Sequence, residues 1–146
     1  MISREKPDII AKIEISEKYK AAERNANMFI LKKDRYTSTS ENVFGGNGPI
    51  TSTDIWPDEF FPKKYGKFMR HVVIPPGSTL GKHTHTGEKE LYYALRGTIE
   101  ALDGDKKITL NPGDVLLTGW GEAHALYNNG TEDFEMVAII LFDEKE

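Results

Sequence analysis

The sequence predicts an all-β fold, a jelly-roll barrel of antiparallel strands over residues 67–146, preceded by an N-terminal extension over 1–66 that contains a short helix. Three observations carry this. From Lys67 onward, short β-rich runs follow one another closely. The breaks between them hold residues with specific turn chemistry, which is the signature of a sandwich or barrel. Helical periodicity is confined to one short stretch near the N-terminus, so no helical layer covers a sheet.

In chain order, residues 16–27 form the predicted helix, with Ser16 as its cap and Tyr19, Ala22 and Ala26 along one side. Met28-Phe29-Ile30-Leu31 is apolar enough for a strand. Residues 34–54 then turn polar and glycine-rich around Gly45-Gly46-Asn47-Gly48-Pro49, which reads as a long loop, either mobile or functional. An aromatic cluster follows, Trp56, Phe60, Phe61, Tyr65 and Phe68, interrupted by Pro57 and Pro62. Such aromatics cover the outside of a barrel or a subunit interface, or else form a lid over its mouth. The extension is accordingly expected to pack on the barrel or on a dimer partner.

Strands are expected at 67–74, 79–85, 89–96, 98–103, 106–110, 114–118, 123–128 and 133–142. Pro75-Pro76-Gly77 cannot continue a ladder, and Asn111-Pro112-Gly113 is a turn. Asp103-Gly104 and Asn129-Gly130 suit hairpin turns. Eight antiparallel strands closing on themselves make a jelly roll.

A chain of 146 residues is one domain by the usual size prior and buries a core without staples, so no metal is needed to fold it. With 38% hydrophobic and 29% charged residues it reads as an ordinary soluble globular protein. Its apolar runs are too short to span a bilayer and the N-terminus has no apolar signal core, so a cytoplasmic location and no membrane partner are expected. The absence of cysteine removes disulfides, thiolate metal sites, iron–sulfur clusters and a cysteine nucleophile. A net charge of -4, with Lys63-Lys64 and Lys106-Lys107 as isolated pairs, gives no electrostatic reason to bind nucleic acid.

Two glycine-framed blocks carry the chemistry. The first is Gly77, five residues, His83, one residue, His85, four residues, Glu90, six residues, Gly97. The second is Gly113, five residues, Gly119-Trp120-Gly121, two residues, His124, three residues, Asn128. Side chains alternate along a strand, so His83 and His85 project to one face with origins about 6.5 to 7 Å apart, close enough for two imidazoles to share an ion. Glu90 approaches from the next strand and His124 from one far along the chain. Gly119 and Gly121 allow the sharp turn before it. Three imidazoles and a carboxylate suit one divalent first-row metal, namely manganese, iron, nickel, copper or zinc.

These blocks resemble the two conserved motifs of the cupin superfamily, with Gly119 where the second block normally carries proline. The resemblance covers about residues 68–142 and implies a single metal-binding barrel, the double-stranded β-helix. It also implies that four protein ligands leave two adjacent positions open for water or a chelating substrate. Cupins are commonly dimers whose N-terminal strands cross to the partner barrel, so a homodimer is expected. The 55–68 and 28–31 segments are the candidates for that interface.

Around the metal donors, Tyr92 shares strand parity with Glu90 and is a candidate hydrogen-bond or proton donor. His71 is a second candidate for the pocket, and Arg70 a candidate for binding an anionic substrate. Glu88 and Lys89 flank a turn and read as exposed, Glu122 reads as pointing to solvent, and Asn128 reads as a turn stabiliser. Neither a nucleophilic triad nor a phosphate loop is present; Gly45-Gly46-Asn47-Gly48 lacks the lysine of a Walker loop. The expected function is a metalloenzyme acting on a small polar metabolite, a carboxylate, keto acid, diketone or sugar acid, by dioxygenase, decarboxylase or isomerase chemistry. The alternative is a non-catalytic module that binds or senses such a small molecule.

Overall fold

The structure, a computed structural model, describes residues 29–143. The helix expected at 16–27, and Met28, lie outside the described residues. By contact the chain divides into two units, 1–34 and 35–146. In the first, Phe29–Leu31 are not in a strand as expected; they lead into a short 3-10 turn over Lys32–Asp34, closed by Asp34 N–H donating to Leu31 O at 2.9 Å.

The second unit is all β. Its strands are β1 (Thr37–Glu41), β2 (Pro49–Trp56), β3 (Gly66–Ile74), β4 (Thr79–Thr84), β5 (Glu88–Arg96), β6 (Ile99–Asp103), β7 (Lys106–Leu110), β8 (Val115–Thr118), β9 (Ala123–Tyr127) and β10 (Phe134–Phe142). They form a six-stranded sheet in the order β1-β2-β3-β10-β5-β8 and a four-stranded sheet in the order β4-β9-β6-β7. Every pairing is antiparallel. The eight strands expected from Lys67 onward are all present, with ends displaced by a residue or so. Among the described residues no helix is long and apolar enough to cross a membrane.

Two expectations are corrected. Residues 34–54 do not form a long loop, because β1 and β2 pair across Thr37↔Thr53 and Thr39↔Thr51 and extend the larger sheet. Their hydroxyls bond across the strands at 2.9 and 3.0 Å. A threonine ladder on a solvated edge has no apolar period, so hydrophobic patterning passes over it. Asn129-Gly130 does not close a hairpin either: β9 and β10 belong to different sheets, and the turn carries the chain from one to the other. Buried Asn128 fixes that crossing by donating to Ile74 O at 2.7 Å and Glu132 O at 2.9 Å, while its Oδ1 accepts from Gly130 N–H. The Asp103-Gly104 turn is a hairpin as expected, with Gly104 at φ 62°.

Alternation along the strands builds the core between the sheets. Val72 and Ile74 from β3, Met136 and Ala138 from β10, and Tyr92 and Ala94 from β5 face Leu80, Ile99, Ala101 and Leu126 of the smaller sheet. Phe134 and Leu126 are fully buried. The same inward rows continue into the functional site.

Candidate metal centre

His83 lies on β4 and His85 one residue past its end, pointing to the same face as parity requires. His124 sits on β9 directly opposite His83. Glu90 comes from β5 in the other sheet, so the four side chains meet between the two layers. His85, Glu90 and His124 are buried and His83 is partly so. One ligand atom from each lies within 4.8 Å of all the others. The Nε2 atom of His124 is 3.0 Å from Nε2 of His83 and 3.1 Å from Nε2 of His85. Oε2 of Glu90 is 3.0 Å from His85, 3.1 Å from His124 and 3.9 Å from His83.

The far side of each ring explains why these nitrogens converge. His83 Nδ1–H donates to Gly81 O at 3.0 Å, and His85 Nδ1–H donates to Glu88 Oε1 at 2.9 Å. A carbonyl and a carboxylate only accept, so the neutral rings carry their proton on Nδ1 and turn the Nε2 lone pair inward. His124 Nδ1 is held by Thr118 Oγ1 at 2.7 Å. Three lone pairs and a buried carboxylate aimed at one point repel each other unless a cation lies among them. Adjacent corners of an octahedral ion with bonds of about 2.1 Å are about 3.0 Å apart. That is close to the 3.0 to 3.1 Å of His124 with His83 and His85 and of Glu90 with His85 and His124, while His83 and Glu90 stand 3.9 Å apart. The residues fit a divalent first-row metal.

Protons on Nε2 can stand in for the cation, and the electrostatics of the cluster describe that form. Burial opposes ionisation of Glu90, but hydrogen bonds from His124, His83 and His85 outweigh it and hold the carboxyl well below its usual range. His85 is raised, chiefly by its hydrogen bond to Glu90, against burial. Burial dominates for His124 and lowers it, favouring the neutral ring that a metal needs. Tyr92 stacks on His124 with centroids 4.8 Å apart, and its hydroxyl lies 3.3 Å from Nε2. Burial, then the charge of Glu90, pushes this phenol far above its normal value, so Tyr92 keeps its proton.

A cavity of about 510 Å³ opens beside the cluster, lined by His83, His85 and Glu90, and by Tyr92 and Arg70. Arg70 Nε–H donates to buried Asp54 at 2.9 Å and the guanidinium lies 4.6 Å from the centre of the Phe68 ring. The structure therefore places Tyr92 against the metal donors and Arg70 in the cavity beside them. It does not bring His71. Neighbouring residues on β3 alternate, and His71 points to the opposite face, paired with Glu135 at 2.9 Å.

Two contributors escaped the sequence reading. Glu88 is buried, not exposed: one oxygen holds His85 and the other pairs with Lys67 at 2.6 Å. Its parity with Glu90 on one strand was the available signal. Phe44 stacks on His83 with centroids 3.8 Å apart and planes 11° apart. It belongs to a 3-10 segment, Val43–Gly45, that lies against β4, where a Cβ on Gly81 would sit 2.1 Å from Phe44 O. Phe44 reaches the ring only through a left-handed backbone, φ 53°, which no side-chain pattern reveals. Of the aromatic cluster around Trp56, only Phe68 lines the cavity. Glu122 is exposed, as expected, and its carboxylate also accepts from Gly119 N–H at the turn.

The site defines a class: a β-barrel with a three-histidine, one-carboxylate centre between its sheets. Known proteins are similar to this chain in sequence and in fold. The Cupin domain family matches residues 70–140. An oxalate-binding protein of Thermotoga maritima is 37% identical over 100 residues, which span 68% of this chain and 82% of that protein. A crystal structure described as a predicted oxalate decarboxylase, also from Thermotoga maritima, superposes with a TM-score of 0.73 at 31% identity, covering 80% of this chain and all of that one. The polyketide cyclase RemF of Streptomyces resistomycificus shares the fold alone, with a TM-score of 0.64 at 15% identity over 82% of this chain and 81% of its own. This chain belongs to the cupin family.

Proposed function

We propose that this protein holds one divalent transition metal through His83, His85, Glu90 and His124, and uses it to bind and transform a small carboxylate-bearing metabolite. The observation that carries the reading is the donor cluster opening onto a cavity that also contains the Arg70 guanidinium. The oxalate-binding relative supports a carboxylate as the ligand.

A bound metal would supply Lewis-acid or redox chemistry, of decarboxylase, dioxygenase or isomerase type. The remaining work falls to the chain. Arg70 is oriented through Nε by Asp54 and by the Phe68 face, leaving its Nη groups to take a carboxylate. Tyr92, holding its proton, donates a hydrogen bond to a ligand oxygen on which charge develops. Glu88 and Lys67 keep His85 in its ligating tautomer.

The test is metal analysis of untagged protein, followed by calorimetric titration of the metal-loaded form with oxalate and assay for its consumption. Wild type should carry about one metal per chain and bind oxalate only when loaded. A metal content no higher than that of a His83→Ala/His124→Ala double variant refutes the reading. Binding without consumption of oxalate or of any larger carboxylate selects the second reading, a capture or sensing module, which the name of the oxalate-binding relative favours.

We also propose a homodimer. Tyr93 and Leu95 of β5, Val115 and Leu117 of β8 and Leu141 of β10 are exposed on three adjacent strands of the larger sheet. An apolar face of this kind is suited to a second copy. Light scattering at the mass of one chain refutes it.

A further inference from the structure

The cavity is much larger than the simplest carboxylate ligand requires. Its volume of about 510 Å³ equals about seventeen waters at about 30 Å³ each. A two-carbon diacid displaces on the order of three of them.

The lining is graded along the strands. Arg70 and Tyr92 lie level with each other across the sheet, with only Ala138 between them in register, so the floor there is open. One step further Val72 stands beside Met136, and one more brings Ile74. From Arg70 to Ile74 the inward face of β3 runs about 13 Å. Leu80 and Ile50 close this end. Ile74 and Met136 are covered by their neighbours in the core, so the open space is bounded by Val72, Ile50 and Leu80, which are less completely covered and have no donor or acceptor. The polar side chains nearby are the hydroxyls of Ser40 and Ser52, without charge. A ligand confined to the metal end leaves this apolar space to water that has few partners there.

We propose that the ligand is a chelating 2-oxo or 2-hydroxy acid carrying an apolar body of about four to six carbons, the size class of this cavity, and not a two-carbon diacid. This rests on the carboxylate reading above. The carboxylate and its neighbouring oxygen lie at the donor cluster, a carboxylate oxygen meets Arg70, and the hydrocarbon runs along Val72 toward Ile50 and Leu80.

The experiment is calorimetric titration of the manganese-loaded protein with oxalate, pyruvate, 4-methyl-2-oxopentanoate and phenylpyruvate. The dissociation constant should fall about tenfold or more from pyruvate to 4-methyl-2-oxopentanoate, as burial of added methylenes dictates. The latter should also bind more tightly than oxalate. Val72→Phe fills the apolar end and should abolish that gain while leaving pyruvate within about twofold. Equal affinity for pyruvate and the branched acid, or oxalate as the tightest ligand, overturns this proposal and leaves the carboxylate reading intact. Binding of none of the four acids overturns both.

Discussion

Replacing Glu88 with alanine should weaken metal binding although Glu88 touches no metal. Its Oε1 accepts the Nδ1 proton of His85 at 2.9 Å, and both side chains are buried. Truncation leaves a buried N–H without an acceptor, which costs about 1–3 kcal/mol. The ring escapes that cost by rotating or by moving its proton to Nε2, and either change removes the lone pair the metal uses. Converted at 1.4 kcal/mol per decade, the cost is about five- to 150-fold in affinity, in line with the about 10–100-fold typical for groups that hold ligating histidines. Lys67 contributes less, because half of its side chain is exposed and a solvated ion pair is worth about 0–1 kcal/mol. Competition of manganese against a fluorescent chelator measures the affinity. Glu88→Gln keeps an oxygen for Nδ1–H and should recover most of the loss, whereas Lys67→Met should stay within about fivefold of wild type. Manganese affinity of Glu88→Ala within about twofold of wild type refutes the reasoning.

Three further outcomes follow from other contacts. Arg70→Lys preserves a cation for Asp54 but loses the planar fork, so carboxylate affinity should fall about tenfold while manganese affinity is unchanged; a parallel fall in both places Arg70 in a structural role. Gly81→Ala brings a Cβ to 2.1 Å from Phe44 O, and urea denaturation should show a loss of about 1–3 kcal/mol as the segment is pushed off β4; unaltered stability means that the segment docks loosely. Asn128→Ala leaves Ile74 O, Glu132 O and Gly130 N–H without partners at the crossing between the sheets, and should cost at least about 2 kcal/mol; a midpoint equal to wild type denies Asn128 that task.

The barrel strands and the four donors were legible in the sequence because both follow from period and spacing. Parity placed His83 beside His85 and Tyr92 beside Glu90, and the structure keeps each pair together. Parity also held a warning about Arg70 and His71, which are adjacent on one strand and cannot both enter the cavity; Arg70 lines it and His71 does not. Most of what escaped depends on features without a period. β1 and β2 are held by threonine hydroxyls at a wet edge and Phe44 arrives through a left-handed backbone, whereas the burial of Glu88 follows its parity with Glu90 and was open to the same reasoning. The Asn129-Gly130 turn has hairpin chemistry, yet nothing local decides which sheet receives the next strand.

The donors are divided between layers, His83 and His124 on the four-stranded sheet with His85 just past the end of β4, and Glu90 on the six-stranded one. An ion held by all four is a cross-link through the middle of the sandwich, and sliding one sheet against the other pulls Glu90 out of register with the histidines. Occupancy and sheet alignment are then two readings of one equilibrium. Metal at a thousandfold excess over its dissociation constant adds about 4 kcal/mol to the folded state, spread over both sheets. By the same linkage, a core substitution such as Phe134→Leu, on the larger sheet and away from the donors, lowers occupancy only in so far as it populates the unfolded chain, and added metal draws that fraction back.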